Sequence, residues 1–278
     1  MSKPVFKVNP SFNGVRIAAS KTINVTGVST LLMLSLCQTP AIASSLSVGA
    51  MHEYMKPEET QILKRIRNDG DATEFVRVTI NEVEFVNGKE TEKSEVEAKP
   101  ETRTSLDCQS TSGNATSLLL ASPSRLIIPA KGMQATRLVY CGDRKTEHYF
   151  RVRFIPALPQ QLDEFPIEQK EKEQYKKVIS AGVNVLTGFG TVVIIRPENV
   201  RFNTVITPAK ESSNVRNDGN SVVVLDNLIS CEKKDKGKCT DAQKVHIRPG
   251  VEKSISAPVN MKTSFDLYEG DTKRHIEI

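Results

Sequence analysis

Cysteine and histidine are the side chains here with most scope for covalent or metal chemistry, and the chain carries five of the first and four of the second. Cys37 falls inside an apolar run near the N-terminus, which leaves Cys108, Cys141, Cys231 and Cys239. An even count in an exported chain points to two disulfides, with three possible pairings. Proximity in sequence favours Cys231–Cys239 and leaves Cys108–Cys141. A metal site would need ligand spacing, but no CxxC is present and His52, His148, His246 and His275 do not join the cysteines in one cluster, so no metal is expected. Catalytic signatures are equally lacking: there is no GxSxG, no HExxH and no phosphate-binding glycine loop. Gly188-Phe189-Gly190 neither follows a strand nor opens a helix, so it is no dinucleotide fingerprint. The chain is therefore expected to be neither an enzyme nor a cofactor protein, and its function must lie in its surfaces.

Charge narrows the partners. The formal net charge is +5, from 38 basic and 33 acidic residues. Lys3, Lys7, Arg16 and Lys21 stand in residues 1–43 with no acid beside them, which leaves 34 basic against 33 acidic groups in the rest. A near-neutral remainder gives no electrostatic footprint for nucleic acid. The basic lead runs into Val25–Cys37, Pro40 and the small-x-small triplet Ala41-Ile42-Ala43, the pattern of a secretory signal cut after Ala43. Its apolar part is too short to span a membrane permanently.

The elements that must position any site read as strands. From Ser45 the chain alternates through Leu46, Val48 and Ala50; Gln61–Arg67 and Glu74–Val86 come next, joined by Asn68-Asp69-Gly70, three residues that tolerate the positive φ of a tight turn. Asn87 to Gly113 is polar and charged and is expected to be a mobile excursion. Leu118–Ile128, Gln134–Tyr140 and His148–Ile155 resume the strand pattern, and a long charged loop after Pro156 leads onward. After Pro197 come Val200–Ile206, a turn at Val215–Gly219, and Ser221–Ile229. Ile66-Arg-Asn-Asp-Gly70 matches Val215-Arg-Asn-Asp-Gly219, and Pro129–Gly132 more weakly matches Pro249-Gly250, as if one supersecondary plan occurred twice. Short strands with turn signals and almost no helical period define an all-β chain of β-sandwiches. The expected division is a signal at 1–43, one domain at 44–198 and a smaller one at 199–278.

One run stands apart. In Ala181–Pro197 apolar or β-favouring residues fall at every second position: Val183, Val185, Thr187, Phe189, Thr191, Val193 and Ile195. From Thr191 to Ile195 both faces are apolar, as in a strand buried within a sandwich. From Gly182 to Gly190 one face is apolar and the other nearly bare, a half-strand that at a sheet edge would invite another chain to pair with it.

The secretory lead, the two sandwich halves, Pro129–Gly132 before Gln134-Ala-Thr-Arg137, His148-Tyr-Phe-Arg-Val152 with Ile155-Pro156, and Gly190-Thr-Val-Val-Ile-Ile-Arg196-Pro197 together resemble the PapD-like periplasmic pilus-assembly chaperones, and most closely their non-classical, common-pilus-type branch. The resemblance implies two immunoglobulin-like β-sandwich domains in a boomerang. It also implies that the chain binds fimbrial (pilin) subunits in the periplasm, lends them a strand, and hands them to an outer-membrane usher. On that basis Ala181–Ile195 is the lending strand, and Val183, Val185, Thr187 and Phe189 enter the subunit's groove.

The sequence departs from that family at one point. Its best-studied members grip the subunit's terminal carboxylate with an Arg in the first strand and a Lys in the lending strand. Here the first strand has no Arg, and Val192 stands where the Lys would be. Arg151 and Arg153, or Arg65 and Arg67, are the substitutes, because a guanidinium can hold a carboxylate through two hydrogen bonds; Arg151 matches the family's Tyr-x-Arg pattern and ranks first. The competing expectation is an exported fimbrial or adhesion protein that itself enters a surface assembly.

Overall fold

The computed structural model describes residues 46–93, 118–157, 170, 173, 187–234 and 237–278. The proposed signal, Cys108, Val183 and Val185 lie outside them, as does nearly all of the charged loop after Pro156. Among the described residues no helix is long and apolar enough to cross a membrane.

Among the described residues seventeen strands build two β-sandwiches. The first uses β1 (Leu46–Ser47), β2 (His52–Met55), β3 (Gln61–Asn68), β4 (Glu74–Val86), β5 (Lys89–Glu92), β6 (Leu118–Ser122), β7 (Arg125–Ile128), β8 (Met133–Cys141), β9 (His148–Pro156) and β10 (Phe189–Ile195). One of its sheets runs β1-β3-β8-β6, and the facing sheet runs β2-β10-β9-β4-β5 with β7 also on β4. The second sandwich uses β11 (Thr204–Pro208), β12 (Ser212–Asn217), β13 (Val223–Glu232), β14 (Gln243–Ile247), β15 (Glu252–Ser256), β16 (Met261–Glu269) and β17 (Thr272–Glu277), in sheets β11-β12-β15 and β14-β13-β16-β17. Period-2 patterning becomes burial: on β9 Phe150, Val152 and Phe154 are buried while their neighbours are not. Facing rows such as Ile66 and Leu138 against Val76 and Val193 close the first core, and Val215, Leu225, Phe265 and Leu267 the second.

The two Asn-Asp-Gly turns are built alike, but not by the expected cause. None of their residues has positive φ. Asn68 is fully buried; its Oδ1 accepts from Gly70 N (2.9 Å) and its Nδ2 donates to Ala72 O (2.7 Å) and Ile128 O (3.1 Å). Asn217 repeats this with Gly219 N (3.0 Å), Ser221 O (2.9 Å) and Ile247 O (2.8 Å). The side chain closes the turn on its own backbone and pins a neighbouring strand end, which is what a short amide can do. Gly219 is required by close approach, since a Cβ there would collide with Arg201 O. The repeat read from the sequence is thus present in three dimensions.

Two further details differ from the sequence expectations. The first strand is split: β1 pairs with β3, and after Gly49 (φ 67°) the chain crosses to the other sheet, where β2 lies parallel to β10. The polar stretch after Val86 opens with a strand, β5, because Asn87 and Gly88 (φ 52° and 77°) make a two-residue hairpin turn. Cys231 and Cys239 form a disulfide. Cys141 is also disulfide-bonded.

Candidate functional site

β10 is covered unequally on its two sides. Toward β9 it pairs along its whole length, from Phe189↔Phe154 to Ile195↔His148. Toward β2 the register begins only at Val192↔His52 and runs to Ile195↔Met55. Val192 N donates to Met51 O at 2.8 Å and Arg196 N to Met55 O at 3.0 Å, so the even-numbered amides of β10 point to the β2 side. Among the described residues, Gly190 is therefore an even position with no strand opposite it on that side. A row of main-chain donors and acceptors ending in this way is a template for another strand.

The side chains of β10 divide in the same place. Thr191, Val193 and Ile195 are fully buried, Phe189 packs at the rim of the first core, and Thr187 is exposed. The apolar row thus leaves the chain's own core between Phe189 and Thr187. The opposite face of Gly190 carries the stems of the arginines, because a Cβ there would lie 3.5 Å from Arg151 Cδ.

The start of β2 is set by a buried lysine that sequence inspection passes over. Lys64 occupies an inward position of β3 and is 1% exposed. Its Nζ donates to Ala50 O at 2.7 Å and stands 3.2 Å from Glu53 Oε2. An ammonium is tolerated in a core only with such partners. It ties down the crossover between β1 and β2, and so fixes where β10 gains its second neighbour.

Arg151 and Arg153 sit together on the outer face of the β10 sheet and already hold carboxylates. Arg153 Nη2 contacts both oxygens of Glu92 (2.6 and 2.7 Å); Arg151 bonds Glu90 and lies 3.6 Å from Glu92. Asn81 Nδ2 adds 3.2 Å to Glu92. Both acids lie on β5, whose hairpin signal Asn87-Gly88 could have been read from the sequence. Arg65 and Arg67 are on β3, in the other sheet, and Arg67 pairs with Asp69 at 2.9 Å.

Beside this face the two sandwiches meet. Glu147 reaches across to Ser221 Oγ (2.5 Å) and Val222 N (3.0 Å) and accepts from Tyr149 Oη (2.5 Å). Burial pushes its carboxyl up, against the pull of these hydrogen bonds. Arg144 donates to Lys56 O (2.7 Å), Glu59 O and Arg196 O (3.4 Å), binding the linker's start to the first sandwich. The Arg196 guanidinium lies between Tyr54 of one sandwich and Phe202 of the other, at 5.0 and 5.2 Å from the ring centres. His52 stacks on His246, ring centres 3.8 Å apart. A cleft of about 1000 Å³ opens here, lined by Glu82, Phe85, Tyr149, Arg248 and others. Tyr149 and Arg196 belong to stretches singled out in the sequence, whereas Glu147, Phe202, His52 and His246 carry no motif and come together only because the two sandwiches abut. Among the described residues no three His, Cys, Asp or Glu side chains are placed to hold a metal.

No family model and no curated protein sequence matches the chain. Solved structures do resemble it. The class 5 fimbriae chaperone CfaA is 16% identical with a TM-score of 0.47, over 84% of this chain and 97% of that one. The E. coli chaperone DraB is 12% identical with a TM-score of 0.49, over 85% and 98%. The Salmonella enterica SafA pilin in complex with the SafB chaperone gives 13% and 0.48, over 84% and 96%. Likeness at this level assigns no role, which has to come from the strands themselves.

Proposed function

We propose that this chain is a periplasmic chaperone for fimbrial subunits, lending its β10 edge to a subunit that lacks a strand and delivering it to an outer-membrane usher. The observation that carries this is the half-covered β10: among the described residues it is paired on both sides from Val192 to Ile195 and on one side only from Phe189 to Thr191, with apolar or β-favouring residues in the sequence continuing at 187, 185 and 183. Strand addition draws affinity from main-chain hydrogen bonds and selectivity from alternate side chains. At about 0.5–1.5 kcal/mol per hydrogen bond and about 1.5–3 kcal/mol per buried apolar side chain, a few of each suffice for a stable complex. Export by the signal at 1–43 supplies the compartment, and no covalent step, metal or cofactor is involved. Arg151 and Arg153 are the proposed grip for the subunit's terminal carboxylate, and Glu90 and Glu92 would have to yield to it.

The test is capture of partners from native periplasm on the tagged chain, identified by mass spectrometry. A small fimbrial subunit in comparable amount to the bait is expected. Recovery of no subunit, with the chain itself found in surface fibres, would make it a structural component instead.

A further inference from the structure

We propose that the stacked imidazoles of His52 and His246 form an acid-sensitive latch between the two sandwiches. His52 opens β2 and His246 lies on β14, so their contact joins strands of different sandwiches. The rings are 3.8 Å apart and 21° from parallel. His52 is exposed at the rim and His246 is half-buried, so protons reach the pair from solvent.

The surroundings disfavour a positive charge. Arg151 on β9 and Lys244 on β14 act on His52, and Lys244 acts on His246 as well. Asp226 on β13 is the opposing carboxylate, and it is ion-paired with Lys244 at 2.9 Å. The Tyr54 ring, 6.3 Å from His246, stays neutral because burial raises its phenol. Desolvation and these cations lower both imidazoles; His246 falls to about 4 from 6.5. A base whose value is lowered in the closed form stabilises that form while neutral. The stabilisation is therefore complete above 6.5 and is lost as pH falls from 6.5 toward about 4.

The latch also touches the edge of β10. His52 is the register partner of Val192, the first residue of β10 that β2 covers. Releasing His52 frees the end of β2 and extends the uncovered edge. Glu147 at the same junction responds in the opposite sense, since a carboxyl raised by burial favours the closed form on acidification. Histidine replacement therefore isolates the latch.

The experiment compares the wild-type chain with the His52→Phe/His246→Phe double variant, in which stacking persists and no proton can bind. Scattering would report the largest dimension, and amide exchange at Val192, corrected for intrinsic rates, the cover of β10. Between pH 7 and pH 4.5 wild type should lengthen and its Val192 amide should exchange on the order of tenfold faster, a factor that one unit of pKa displacement supplies. The double variant should show neither change. Opening of both proteins at the same pH, or of neither, would overturn the latch. Imidazole titration of wild type by NMR gives an independent check: His52 and His246 both titrating at the ordinary 6.5 would also overturn it.

Discussion

Val185→Asp should abolish subunit capture while leaving the chain folded. Val185 itself lies outside the described residues, but in the sequence it belongs to the row Val183, Val185, Thr187, Phe189, and that row leaves the chain's own core between half-buried Phe189 and exposed Thr187. On the proposed strand-lending function, a charge at 185 would meet the client's groove. An unpaired carboxylate in an apolar groove costs several kcal/mol, and each 1.4 kcal/mol is about tenfold in affinity, so retention should fall by at least about 100-fold. Titration with a purified subunit would measure the loss, and thermal melting would check the fold. Failure of the variant to fold would place the residue in the chain's own core.

Lys64→Met should cost most among single changes that spare the hydrophobic rows. It removes the Nζ donor to Ala50 O and the ammonium 3.2 Å from Glu53. Breaking a buried pair by deleting one partner costs about 3–5 kcal/mol, and because Glu53 keeps 25% of its side chain in water the lower end applies. About 3 kcal/mol lowers the melting temperature of a chain this size by roughly 6–12 °C. Chemical denaturation measures it; a loss under about 0.5 kcal/mol, the level of an ordinary surface change, would show that the lysine is not what fastens the crossover.

The fold was largely legible because its signals are local. Alternation in Gln61–Arg67 and His148–Ile155 marks strands whose burial has the same period, whereas along Glu74–Val86 the period breaks, Glu74, Phe75 and Val76 all being buried. Asn-Asp-Gly at 68–70 and 217–219 marked both the turns and their repetition. The mechanism of the turns was not legible: each is held by the Asn side chain, through a contact with a strand end 30 or 60 residues away that no tetrapeptide reveals. The hairpin at Asn87-Gly88 was legible but masked by the polarity of β5, all four of whose residues are exposed.

The site was legible in part. The change in character along Ala181–Ile195 located the point where β10 gains a second neighbour to within a residue or two. It could not show that β2 supplies the cover, because that depends on a crossover at Gly49 fastened by a buried lysine on another strand. Arg151 and Arg153 were identifiable as cations, yet their carboxylate partners come from β5, two strands away in the sheet. His52, Glu147 and His246 had no signal at all, since each acquires its role from the opposite sandwich.

The amide of Gly190 provides the most direct test of strand lending. It lies on the β2 side of β10 but beyond the last β2 pair, whereas Val192 is already bonded to Met51 O. In the chain alone Gly190 should exchange its amide hydrogen freely and Val192 slowly. With a saturating fimbrial subunit, Gly190 should slow by on the order of a hundredfold or more while Val192 changes little, as expected when a new strand closes one open edge. If the subunit binds and slows amides elsewhere, at the β5 or β17 edge for instance, while Gly190 remains fast, then β10 is not the strand that this chain lends.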